Sequence, residues 1–293
     1  MIEDGPAASG VIGLVLTASS PRVGVEPFFI ELVSGMEEAL VPAGAAVLLL
    51  VVPDLAAELA SYQRWKADGT VDAVVVVNLV HGDVRPARLA ELGLPAVLAG
   101  RYAGPAGLSS VVTDDAAAIG AAMGLLAELG HRTIGRVSGP ADLIHTAERS
   151  AAMRTSGQRL RVEVRIVEAD YSAEAGARAA RLLLAQTGAP TAIVFDNDVM
   201  AVAAEQDLVR AGIGVPTQVS LLACDDSTLC ELAVPPLSAM SIDVHEHGAT
   251  LGRAVLDVLA GAPHCVYPGP PIRIRHRAST GPAPAVAAAG VLA

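Results

Sequence analysis

Short apolar runs of strand length alternate almost throughout the chain with longer segments whose apolar residues recur at helical spacing. A strand buried on both faces reads as a near-continuous apolar run, whereas a helix packed on one side shows only a stripe. On this basis strands are expected at residues 11–17, 46–52, 73–77, 95–98 and 111–113, with helices near 28–40, 55–66 and 84–92. A second series follows, with strands at 133–138, 162–167, 191–195 and 219–223 and helices at 116–129, 146–154, 173–186 and 199–211. Gly130 and Gly212 stand where left-handed helix caps belong. One more strand (237–242), a helix (245–259) and a final strand (272–276) complete the pattern. Alternation of this kind specifies an α/β fold built from βαβ units around parallel sheets, here as two half-molecules of similar element order.

Two strands end in acids. Val219-Ser220-Leu221-Leu222-Ala223-Cys224 runs into Asp225-Asp226, and Thr191-Ala192-Ile193-Val194-Phe195 runs into Asp196-Asn197-Asp198. Parallel strands deliver such residues to the carboxyl edge of their sheet, where open α/β sheets place ligands. Two successive polar tips point to one polar cleft suited to a small hydroxylated molecule.

Composition narrows the function classes. At 293 residues and 52% hydrophobic content the chain can bury two sizeable cores. Its formal net charge is −11, and Lys66 is the only lysine. Nucleic-acid binding needs a basic patch to neutralise phosphates, so this polypeptide is not expected to bind DNA by itself. No apolar run reaches the roughly 18 residues of a membrane span. The acidic start Met1-Ile2-Glu3-Asp4 does not resemble a secretory signal, and a cytoplasmic location is expected. Cys224, Cys230 and Cys265 lack metal or disulfide spacing and read as packing thiols.

The ordered set of landmarks resembles the effector-binding core of the lactose-repressor (LacI/GalR) family of transcriptional regulators. The set comprises Ile12-Gly13-Leu14-Val15, Pro27-Phe28-Phe29 through Gly35-Met36, Val71-Asp72-Ala73-Val74, Asp114-Asp115-Ala116, Leu129-Gly130-His131, Gly139-Pro140 with Glu148-Arg149, Asn197-Asp198-Val199-Met200, Gly214-Val215-Pro216, Ser220 to Asp226, and Pro235-Pro236-Leu237-Ser238. No single piece is specific, but their order is.

The resemblance implies a type I periplasmic-binding-protein-like fold: two Rossmann-like lobes of parallel sheet flanked by helices, three crossovers, a ligand between the lobes, and a homodimer. The expected division is an N-terminal lobe of residues 11–112 plus 243–266 and a C-terminal lobe of 113–242 plus 267–280. Residues 1–10 are expected to be a disordered or replaced junction, and 281–293 a disordered tail. It implies dimerisation through the helices at 55–66 and 199–211. No helix-turn-helix precedes the first strand, so operator DNA would be reached only through a DNA-binding headpiece that these residues do not contain.

The same resemblance nominates ligand-binding residues. Asp225 is the first, since an ionised carboxylate accepts from two vicinal hydroxyls; the alternative is a cap for the following turn. Arg149 offers a planar fork of donors to adjacent ligand oxygens, or else a salt bridge. Asn197 suits a sugar hydroxyl, or caps the helix before Asp198. Phe28 and Phe29 match an aromatic pair, one expected to cover a ring and one to pack inward, and Tyr171 corresponds to an aromatic tip of the other lobe. Two departures from the family pattern complete the set: His145, which either donates to a ligand oxygen or is an exposed histidine, and Ser19, in a loop at 16–26 that is longer than the usual family version.

Other chemistries find no support in the sequence. His245-Glu246-His247 puts two imidazoles on one side of a strand but not of a helix, and the stretch is expected to open a helix, so no metal is assigned. Neither a dinucleotide nor a triphosphate motif is present, no nucleophile elbow occurs, and neither a cofactor nor an enzymatic activity is expected. The expected function is therefore a ligand-sensing domain for a carbohydrate-like effector; the alternative is the solute-binding component of a sugar transporter, which shares the fold.

Overall fold

A computed structural model describes residues 10–17, 25–104 and 107–285. The chain divides into two compact units, one reaching Thr113 and including Asp243–Pro270, the other made of Asp114–Ile242 and the residues from Pro271 on. The polypeptide therefore passes from one unit to the other three times. Among the described residues, no helix is long and apolar enough to cross a membrane.

The first unit contains β1 (Val11–Thr17), α1 (Pro27–Leu40), β2 (Ala46–Val52), α2 (Leu55–Asp68), β3 (Ala73–Val76), α3 (Arg85–Leu92), β4 (Ala96–Ala99) and β5 (Ser109–Val112). The second contains α4 (Asp115–Glu128), β6 (Thr133–Ser138), α5 (Ile144–Leu160), β7 (Glu163–Glu168), α6 (Ala173–Leu184), β8 (Ala192–Phe195), α7 (Asp198–Arg210), β9 (Ser220–Cys224), α8 (Thr228–Leu232) and β10 (Ser238–Ser241). The chain then returns α9 (Val244–Leu259) and β11 (Val266–Pro268) to the first unit and β12 (Arg273–Arg275) to the second.

The first sheet is parallel throughout, in the order β11-β5-β4-β3-β1-β2. Ile12 and Leu14 of β1, Val75 and Val97 pack against Leu32, Met36 and Leu40 of α1 and Leu251 and Val255 of α9. Helices α1 and α9 meet backbone to backbone, because glycines face each other. A Cβ added at Gly35 would lie 1.9 Å from the His245 carbonyl oxygen, and one at Gly248 would lie 2.1 Å from that of Leu32. His245-Glu246-His247 begins α9 as expected, with Asp243 as the N-cap accepting from the Glu246 amide. His245 is bonded to Glu31 and Glu38 of α1.

The second sheet has the order β12-β10-β9-β8-β6-β7, parallel except that the terminal strand β12 runs antiparallel to β10. Side chains alternate along each strand. Ile193 and Phe195 of β8, with Leu221 and Ala223 of β9, enter the core beneath α6 and α7. Ala192, Val194, Leu222 and Cys224 enter the core beneath α4 and α5.

Two expectations need correction. The stretch from residue 281 was read as tail, yet its first residues are built into the second unit. Gly281 donates its amide to Ser220 Oγ at 3.1 Å and its carbonyl meets His131 Nε2 at 3.1 Å, while the Ala283 amide bonds the Leu129 carbonyl at 2.8 Å. Composition alone suggested a free end; donors and acceptors on β9 and just past the end of α4 hold it. The three thiols also differ, for Cys224 and Cys230 are buried but Cys265 is exposed.

Candidate functional site

The carboxyl edge of the second sheet gathers most of the expected residues. The chain order places β6 beside both β7 and β8, so the connections leaving β6 and β8 diverge to opposite faces of the sheet. This is the switch point at which open α/β sheets form ligand sites.

Asp196, the first residue after β8, organises the edge. Its carboxylate accepts from Arg136 Nε and Nη2 at 2.7 and 2.6 Å and from the Gly139 amide at 2.9 Å. Arg136 projects from β6 toward α5, where Nη1 donates to Ser150 Oγ at 2.7 Å. Both partners are essentially inaccessible, at 0% and 1% exposure. A buried charge pair of this kind requires further hydrogen bonds to its remaining atoms, and these supply them.

Arg149 lies on α5 one helical turn beyond His145. Its Nε donates to Asp115 Oδ1 at 2.6 Å and its Nη1 to the Asp196 carbonyl at 3.4 Å. Asp115 opens α4, just after the N-cap Asp114 that accepts from the Ala117 amide. Burial opposes the charge on Arg149, but Asp115, Cys224, Asp196 and Tyr171 favour it, and its pKa is held well above the ordinary arginine value. For His145 burial and then the Arg149 cation act together and lower the pKa to about 4.

Tyr171 sits in the left-handed region at φ 66°. Its hydroxyl meets His145 Nε2 at 2.9 Å and Thr146 Oγ1 at 3.1 Å, and the two rings stack with centroids 6.5 Å apart. Gly139 is required here, since a Cβ on it would approach the tyrosine ring to 2.1 Å. Asn197 takes the capping alternative: its Oδ1 accepts from the Met200 amide at 2.9 Å, while Nδ2 donates to the Tyr171 carbonyl at 3.1 Å.

Asp225 follows β9 at φ 65°, a conformation that Asp and Asn tolerate better than other side chains. Its amide donates to the Met240 carbonyl at 3.1 Å, and its side chain is half-buried. Asp226 has the structural part, binding Arg277 Nη1 and Nη2 at 2.6 and 3.1 Å. Asp198 accepts from the Ser227 amide at 3.1 Å. Beneath these groups the Cys224 thiol is pushed up, by burial first, and is inert as a nucleophile.

The remaining nominated residues belong to the first unit. Phe29 is buried in its core and Phe28 is half-buried, with the rings edge to face at 5.2 Å. Ser19 lies outside the described residues. Sequence reasoning missed Arg136 and Asp115 as participants and saw Asp196 only as part of a polar tip. The one available signal was an arginine inside the apolar strand Thr133-Ile134-Gly135-Arg136-Val137. Among the described residues, no group of three or more His, Cys, Asp or Glu could hold a metal ion.

Such an edge can present a fork of donors, carboxylate acceptors and an aromatic face to one small polar molecule. Residues 123–280 match the family model described as a periplasmic binding protein-like domain. The chain is 28% identical over 256 residues to the HTH-type transcriptional regulator CelR of Thermobifida fusca, covering 85% of this chain and 75% of that protein. It is similar to the crystal structure of a LacI family transcriptional regulator from Bifidobacterium animalis subsp. lactis, with 33% identity, a TM-score of 0.85 and coverage of 94% of this chain and 100% of that one. A solved complex of the transcriptional regulator CelR with cellobiose has 26% identity and a TM-score of 0.82, covering 93% of this chain and 85% of that one.

Proposed function

We propose, for a chain that belongs to the LacI/GalR family of transcriptional regulators and carries its periplasmic-binding-protein-like effector core, that a small polyhydroxylated effector docks on the carboxyl edge of the second sheet. Asp225 accepts from vicinal hydroxyls, Arg149 donates from the part of its fork that Asp115 leaves open, and Tyr171 with His145 supplies the flat wall. Asn197 acts through its hold on the Tyr171 carbonyl. The observation that carries this reading is Arg149 held in place by Asp115 and by the Asp196 carbonyl, at a sheet edge where Asp225 also emerges. The bound cellobiose of the similar CelR structure supports a carbohydrate as the effector class.

In the full-length regulator, effector binding shifts a population between two conformations that differ in operator affinity. The protein acts as a cytoplasmic homodimer, and operator DNA is contacted by a headpiece rather than by these acidic units. No catalytic step is assigned.

The test is calorimetry and thermal melting against neutral mono- and disaccharides including cellobiose. A true effector present at 100 times its Kd stabilises the protein by about 2.7 kcal/mol. Asp225→Asn, which keeps the left-handed turn while removing the charge, and Arg149→Ala are expected to abolish that shift in proteins that still fold. Unchanged affinity in both variants would remove the site assignment. Sedimentation separates this reading from a transporter component, which is expected to be a monomer.

A further inference from the structure

A carboxylate- or phosphate-bearing effector needs an uncommitted cation, and guanidinium forks are the usual receptor. Among the described residues, the arginines at the carboxyl edge of the second sheet are each matched with an acid. Arg136 is paired with Asp196 at 2.6 Å and Arg149 with Asp115 at 2.6 Å, while Arg277, beside the amino end of β10, holds Asp226 at 2.6 Å. Asp198 and Asp225 stand at the same edge, so four carboxylates (with Asp115 and Asp196) outnumber the two guanidinium groups there. His145, its pKa lowered to about 4, brings no positive charge at neutral pH.

Arg149 still has hydrogen-bonding capacity. Its Nε binds Asp115 and its Nη1 the Asp196 carbonyl, and a guanidinium carries five N–H donors in all, more than these two bonds use. Asp115 therefore removes the net charge that an anion would seek while leaving N–H groups directed by the ion pair. Its own position is independent of the helix cap, which Asp114 supplies.

We propose that Asp115 sets the charge selectivity of the effector site: by neutralising Arg149 it makes the guanidinium a donor to hydroxyls, and the site takes uncharged polyhydroxy compounds in preference to their phosphorylated or carboxylate counterparts. The inference rests on the reading of this edge as the effector site, and the two can fail separately.

The experiment titrates the protein calorimetrically, at low and at moderate salt, with matched pairs: glucose against glucose 6-phosphate and gluconate, ribose against ribose 5-phosphate, and cellobiose against cellobionate. The wild type is expected to bind a neutral member at least tenfold more tightly than its anionic counterpart. Asp115→Asn is expected to raise affinity for that counterpart about tenfold, with the gain lost as salt is added, whereas Asp115→Glu keeps the wild-type preference. A wild type that prefers the anionic member overturns the inference but leaves the effector reading intact. So does a folded Asp115→Asn protein with an unchanged neutral-to-anionic ratio. Binding of neither member of any pair by the wild type overturns the effector reading and the selectivity with it. The wild-type ratio tests the preference itself even if the variant does not fold.

Discussion

Buried acids in this chain are stabilised in different ways, and their substitution has correspondingly different effects. Asp196 accepts three hydrogen bonds, two of them from the inaccessible Arg136. Asp196→Ala leaves that guanidinium buried without its counter-charge, a change that costs about 3–5 kcal/mol and is measurable by urea unfolding. Glu58 shares Arg85 with Asp83 and accepts from the Tyr62 hydroxyl. Glu205 on α7 has neither kind of support. It is 0% exposed, and neither carboxylate oxygen has a hydrogen bond of ordinary geometry.

Two groups, Glu205 and His145, set opposite pH dependences. Burial pushes the Glu205 carboxyl from 4.5 up to about 7, against a smaller opposing effect of the Val234 backbone. Between those values the folded state keeps a proton that the unfolded chain releases, so stability falls as pH rises through the window. Glu205→Gln is expected to abolish that fall. His145 works in the other sense, its pKa lowered from 6.5 to about 4. Within that window the unfolded chain takes up a proton that the folded state does not, so stability rises with pH. His145→Gln removes this rise. The two slopes oppose each other between about pH 4.5 and 6.5, and unfolding series on each single variant should expose the other. Parallel pH profiles for wild type and both variants would refute the assignment.

At the scale of elements, the periodicity of apolar residues predicted nearly every strand and helix within a few positions. The misses have local causes. Helix α5 was expected only over 146–154, but it runs Ile144–Leu160 straight through Thr155-Ser156-Gly157, residues of low helix propensity. Gly157 is there for packing: a Cβ on it would lie 2.6 Å from a Val164 methyl. Strand β11 and helix α8 are too short to show a period. The site was less legible than the fold. Asp225 and Arg149 were found through the family resemblance, while the acids that brace arginines lie far off in sequence. Arg136 and Asp196 are 60 positions apart, and Asp115 and Arg149 are 34 apart. Such pairings follow from sheet topology and have no local signature. The contact between α1 and α9 offers the element-scale test. Gly35→Ala places a methyl against the His245 carbonyl, and the helices must separate, at a cost of about 1–3 kcal/mol. The expected outcome is a lower urea midpoint with the ligand site intact.

At the scale of the whole molecule, each unit is assembled from segments distant in the sequence. The second unit depends on its last contribution. Strand β12 pairs with β10, Ser279 exchanges hydrogen bonds with Leu221 through its Oγ and its carbonyl, and Gly281 bonds Ser220. Deleting residues from 271 onward is expected to abolish cooperative unfolding of the second unit, as read by limited proteolysis and circular dichroism. A truncated chain that melts like the full one would show that the returning segment only decorates the sheet.

The same discontinuity governs how the molecule comes into being. A ribosome releases the chain in order, yet the first sheet stays without α9 and β11 until residue 268 has appeared, and the second lacks its closing strand and clasp until about the time residue 283 emerges. The first half must wait until nearly all of the second has been made. From the time β6 appears until β11 returns, the nascent protein therefore holds two incomplete sheets, and it closes them one after the other between residues 244 and 283.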